Sequence, residues 1–73
     1  MTNHGYAIVL EKTATGWSAY APDLDGCIAT GATPEETRQL MSEALEMHLR
    51  AMREDGDEIP SPTSLVDYVP LAS

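Results

Sequence analysis

Carboxylates dominate the residues of this chain that could do chemistry. Asp23 and Asp25 flank Leu24, Glu35 and Glu36 follow Pro34, and Glu11 closes an apolar run. Converging carboxylates can hold two divalent ions roughly 4 Å apart and hydrolyse phosphodiesters. The spacing assigns most of these acids other work. Asp23 and Asp25 lie in Pro22-Asp23-Leu24-Asp25-Gly26, where such side chains bond back to the backbone of a tight turn and glycine supplies the unusual φ. Glu36 stands three residues after Thr33, with Pro34 between them. That is a hydroxyl cap, a first-turn proline and a capping-box glutamate, the start of a helix. Only Glu11 is left over, so neither a catalytic residue nor a metal site is expected.

Other reactive types give the same answer. His48 falls within the apolar arc of the helix that Thr33 begins, a place where histidine can act as base or ligand. No cysteine or second histidine stands at ligand spacing from it, and His4 belongs to the N-terminal stretch. A core or interface histidine with one hydrogen bond is expected, and zinc is not. Cys27 is the single cysteine, so it cannot close an intramolecular disulfide; without cationic neighbours it reads as a small buried hydrophobe. Trp17 and Tyr20 could stack a nucleobase, but no basic residues are interleaved with them. Trp17 instead seals a sheet or anchors a protein interface. Met41, Met47 and Met52 recur at helical spacing beside Leu40 and Leu45, which points to core packing. No cofactor is implied.

Charge narrows the partners. The 73 residues carry 4 Lys and Arg against 12 Asp and Glu, a formal charge of −8. Such a surface repels phosphate backbones, which disfavours direct nucleic-acid binding. It speeds encounter with a basic protein. No apolar stretch approaches the ~20 residues of a membrane span, and Met1-Thr2-Asn3-His4-Gly5 shows no signal-peptide pattern. A single cytoplasmic domain covering residues 1–73 is the expectation.

The elements that must position these residues follow from periodicity. Tyr6-Ala7-Ile8-Val9-Leu10-Glu11 reads as a strand with apolar residues on both faces, hence a central one. A polar connection ending in Gly16 leads to a second strand, Trp17-Ser18-Ala19-Tyr20-Ala21, and the turn at residues 22–26 leads to a third around residues 27–30. The helix runs from about Pro34 to about Asp55. Its apolar arc holds Leu40, Met41, Ala44, Leu45, Met47, His48, Ala51 and Met52, with Leu49 the misfit on the polar border. Gly56 stops it. Residues 57–63 form a proline-containing linker, and residues 64–69 read as a fourth strand ended by Pro70. The order is β-β-β-α-β: an α+β fold, an antiparallel three-strand meander plus a fourth strand, with one helix packed on one face.

Several of these pieces together resemble the HicB-like antitoxin family of bacterial HicA–HicB toxin–antitoxin systems. The carriers are the strand from Tyr6 to Glu11, Gly16-Trp17-Ser18-Ala19, Pro22-Asp23-Leu24-Asp25-Gly26-Cys27, the junction from Thr30 to Glu36, and the exit Gly56…Ile59-Pro60. They come in the family's order over nearly the whole chain. The resemblance implies a partial ribonuclease-H-like fold, no catalysis, and neutralisation of a basic mRNA-cleaving toxin of HicA type by covering its RNA-binding surface. Many family members add a C-terminal DNA-binding module; none of these elements corresponds to it, so operator binding is not part of the expectation. For the partner surface, the expected contributors are Asp23, Asp25, Glu43 and Glu46 as charges and Trp17 as anchor. A homodimer is also expected, because a small sheet has open edges. The alternative reading is a self-associating small domain with a ligand-binding or purely structural role.

Overall fold

Two antiparallel hairpins and one long helix form the regular structure of the computed structural model, which describes residues 5–72. Strands β1 (Val9–Lys12), β2 (Trp17–Ala21) and β3 (Leu24–Gly31) form a meander in the order β1-β2-β3, followed by helix α1 (Pro34–Glu54). At the β1–β2 connection, the Thr13 N–H donates to the Gly16 carbonyl at 2.8 Å, and the Gly16 N–H donates to Thr13 Oγ1 at 3.0 Å. Glycine is required at position 16 because a Cβ there would strike the Gly31 carbonyl of β3.

Register sorts the side chains by face. Leu10, Ala19 and Ala29 are cross-strand partners, and so are Val9, Tyr20 and Ile28 on the opposite face, as the period of two demands. Helix α1 covers the first face, packing chiefly on β3 and β2 and little on β1. The buried core is Ala19, Ala21, Leu24, Cys27 and Met41, with Ile8, Leu10, Leu45, Leu49 and Met52 packed around it.

The helix ends are built from local chemistry. Thr33 Oγ1 accepts the Glu36 N–H at 3.1 Å, while Glu36 Oε1 reaches back to the Ala32 N–H at 2.6 Å. Thr37 is fully buried, yet its hydroxyl donates to the Thr33 carbonyl at 2.7 Å, which removes the penalty for burying it. At the other end, the Gly56 N–H bonds the Arg53 carbonyl and the Asp57 N–H bonds the Met52 carbonyl. Gly56 has φ +76. This is a Schellman cap, which needs the left-handed conformation at that residue.

Four details differ from the expectation. β1 begins at Val9 and is an edge strand, with β2 in the centre. Asp25 and Gly26 belong to β3, not to the turn; the register shifts between Tyr20 and Ala21, and Gly26 takes φ 79. A β-bulge thus absorbs the residues that a longer turn was expected to hold. Leu49 joins the core and Met47 is 67% exposed. The helix leans over β3, so the buried stripe runs through Met41, Leu45, Leu49 and Met52.

The fourth difference concerns residues 64–69, where no strand forms. The chain is held before it reaches a sheet edge: the Tyr6 hydroxyl donates to the Pro60 carbonyl, and Asp23 binds Thr63 and Ser64. Pro60 and Pro62 bring no N–H for a ladder. Beyond the tether, Leu65 and Tyr68 are each 88% exposed. Among the described residues the fold is therefore three strands and one helix, of α+β class.

Replacing Met41, at 0% exposure, by alanine should cost about 2–5 kcal/mol in urea unfolding. Met47→Ala should change stability by less than about 0.5 kcal/mol. Equal costs would contradict the packing described.

Candidate functional site

Asp23 is the most engaged acid in the molecule's surface. It sits in the β2–β3 turn, and its carboxylate accepts from the Thr63 N–H at 2.9 Å, the Ser64 N–H at 3.0 Å, the Thr63 hydroxyl at 3.2 Å and the Ser64 hydroxyl at 2.7 Å. These bonds, the Ser64 hydroxyl foremost, lower its pKa from 3.8 to about 2. Four donors on one carboxylate favour the charged form in this way. Asp23 therefore keeps its charge and also clasps the segment after α1 to the sheet. Its partners lie 40 and 41 residues away, beyond any local sequence signal. Adjacent threonine and serine after a proline were the visible half of the motif.

The other expected contributors are spread over the surface. Asp25 is exposed on β3, and Glu43 and Glu46 are exposed on α1. Glu43 Oε2 accepts from Gln39 Nε2 at 3.2 Å, one helical turn away. Trp17 is half-buried at the start of β2, paired with Lys12 and Gly31. It lines a shallow hollow of about 390 Å³ with Thr13, Thr15, Gly16, Thr30 and Ala32. β2 is five residues long, so Trp17 and the Asp23 turn stand at opposite ends of the sheet, roughly 13 Å apart. The structure does not gather these residues into one cluster. It gives a helix that carries Glu43 and Glu46 together with the exposed Arg38, Arg50 and Arg53, an acidic strand residue and an aromatic-lined end.

Cys27 is buried, and that burial pushes its thiol pKa up; an inert thiol results. His48 is half-buried on a groove of about 310 Å³ between α1 and β3, with Ala44, Met47, Gly26 and Ile28. Sequence reasoning placed His48 on the apolar face but missed the groove beside it. Glu11 is exposed near the end of β1. Among the described residues, no group of three His, Cys, Asp or Glu side chains is placed to hold a metal ion. No helix among them is long and apolar enough to cross a membrane. His4 lies outside the described residues.

A three-stranded meander with a capped helix on one face, and acids on its surface, defines a small α+β domain built to present surface. Known proteins sharpen that class. The family model for HicB-like antitoxins of bacterial toxin–antitoxin systems matches residues 6–71, and the chain belongs to that family. A solved chain from a HicA3 and HicB3 toxin–antitoxin complex superposes with a TM-score of 0.70 at 36% identity, covering 81% of this chain and 69% of that one. A 14.9 kDa protein of Haemophilus phage HP1 is 33% identical over 88% of this chain and 48% of its own length. A UPF0150 protein of Synechocystis is 31% identical over 86% of this chain and 81% of its own length. Antitoxin HicB 2 of Photorhabdus laumondii is 32% identical over 85% of this chain and 45% of its own length. The chain thus spans about half the length of the phage and Photorhabdus relatives.

The clasp makes a pH-dependent prediction. Because the folded pKa of Asp23 lies below 3.8, at about 2, its contribution to stability is full above pH ~4 and is lost as pH falls through about 2. The melting temperature of the native chain should exceed that of Asp23→Asn at neutral pH, and the gap should close on acidification. In Asp23→Asn, the Thr63 and Ser64 amides should exchange hydrogen faster at neutral pH. A pH-independent gap would contradict the clasp.

Proposed function

We propose that this chain is an antitoxin domain that neutralises a basic, mRNA-cleaving toxin of HicA type by covering its RNA-binding surface and active site. The observation that carries this reading is the structural likeness, at 36% identity, to a chain solved within a toxin–antitoxin complex. Family membership supports it, and the −8 charge on 73 residues gives it a physical basis. A toxin that grips RNA presents a cationic surface, and an acidic protein competes for that surface with the same sign of charge as the RNA. A standard interface of about 800 Å² per partner is enough to cover a small active site.

In this reading the domain is a partial ribonuclease-H-like scaffold that performs no reaction, works in the cytoplasm where mRNA is, and does not itself bind nucleic acid. Asp25, Glu43 and Glu46 supply charge to the interface. Asp23 adds its charge while holding the linker, and Trp17 is the aromatic anchor. Long-range attraction dominates, so screening weakens the complex.

Co-expression with a basic HicA-type toxin encoded beside this chain should restore growth. Trp17→Ala should raise Kd about 30-fold, the range of an interface hot spot, and Glu43→Lys with Glu46→Lys about tenfold or more. Affinity measured by calorimetry should fall as salt rises. Failure to rescue growth, or an affinity indifferent to salt and to all three substitutions, would sink the proposal.

A further inference from the structure

Trp17 borders open space where a core residue would border side chains. It is half-buried, and it is the single tryptophan of the chain. Its cross-strand partner on β3 is Gly31 and its chain neighbour is Gly16, so neither position carries a side chain to close over the indole. The hollow beside it, about 390 Å³, is lined by these glycines with Thr13, Thr15, Thr30 and Ala32, and by no charged residue among those described.

Unoccupied oxygens dominate the polar lining. Two backbone N–H groups at the hollow are already taken, that of Gly16 by Thr13 Oγ1 at 3.0 Å and that of Ala32 by Glu36 Oε1 at 2.6 Å. Among the described residues no protein group bonds the hydroxyls of Thr15 and Thr30, and Thr13 Oγ1 keeps a further lone pair. The surrounding charge selects a cation over an anion. The positive end of α1 lies next to Ala32, but Thr33 caps it and Glu35 and Glu36 both stand in its first turn. Glu11 shares a cross-strand row with Ser18 and Thr30. Against these three acids stands Lys12, the cross-strand partner of Trp17, which does not line the hollow.

We propose that this hollow seats an arginine side chain, its guanidinium stacked on the Trp17 indole and its N–H groups bonded to the threonine oxygens, with Glu11, Glu35 and Glu36 supplying the counter-charge. The negative face of an indole attracts a cation. A guanidinium suits this seat better than an ammonium, because it is planar, carries five donors in a fixed fork and is more weakly hydrated. In the antitoxin reading, on which this seat depends for its partner, the arginine comes from the toxin's RNA-binding surface. On such a surface arginines stack on bases and pair with phosphates. The hollow offers the same combination, so Trp17 stands in for a nucleobase and the acids for phosphates.

Fluorination of the one tryptophan tests this. Fluorine withdraws charge from the indole face while nearly preserving ring size and adding apolar character. Trp17 would be replaced biosynthetically by mono-, di- and trifluorotryptophan, and affinity for a catalytically inactive HicA-type toxin measured by calorimetry. Kd should rise at each step, by roughly 2- to 30-fold over the series. An anchor that merely fills space would bind equally well or better. Glu36→Gln, which keeps the capping-box hydrogen bond, should raise Kd at low salt with circular dichroism and melting temperature unchanged. In the chain alone, N-acetyl-arginine amide should shift the Trp17 indole and Thr30 amide resonances, and its neutral isostere N-acetyl-citrulline amide should not. A Kd that is flat or falls across the fluorinated series, or the lack of an arginine-specific shift, overturns the seat while the antitoxin reading stands. A chain that fails to bind the toxin yet distinguishes arginine from citrulline sinks that reading and upholds the seat.

Discussion

Close approach of one helix to a sheet of small side chains is the constraint on which this structure rests. Ala19, Ala21 and Cys27 are buried beneath α1, and a Cβ on Gly31 would meet Thr37 Oγ1 at 2.7 Å. Only small residues let α1 come near enough for Met41 and Leu45 to fill the remaining space. Among the described residues the result is a core of five buried apolar residues, which suits a domain near the lower limit of independent stability.

Satellite interactions compensate for so small a core. The Thr33–Glu36 cap, the Gly56 turn, the Tyr6 hydroxyl on Pro60 and the Asp23 clasp each tie a chain segment to the central unit. Individually each is a modest, mostly exposed contact. Together they determine where the polypeptide goes after α1, and that route decides which apolar residues stay on the outside.

Local chemistry was legible in the sequence wherever a residue acts on near neighbours. Strand β2, the Thr33 cap, Pro34 in the first turn and the Gly56 stop all follow from short-range rules. The errors arose where a distant contact decides. Residues 64–69 have a strand's composition, yet Asp23 and two prolines divert them from the chain's own sheet. Without that strand β1 becomes an edge. The helical arc was right for Met41 and Leu45 but put Met47 inside and Leu49 outside, because the tilt of α1 over β3 cannot be read from a helical wheel. The candidate acids were visible as types; that Asp23 clasps a segment 40 residues on was not.

The proposed function rests on charge and shape held by a rigid frame. Eight net negative charges on a chain of the HicB-like antitoxin family are suited to standing where RNA would stand on a toxin. The most direct measurement is displacement. A catalytically inactive HicA-type toxin would be loaded with labelled RNA and titrated with this chain while fluorescence anisotropy is followed. Stoichiometric release of the RNA is the predicted result. A stable ternary complex, with the RNA still bound as the chain associates, would contradict the account.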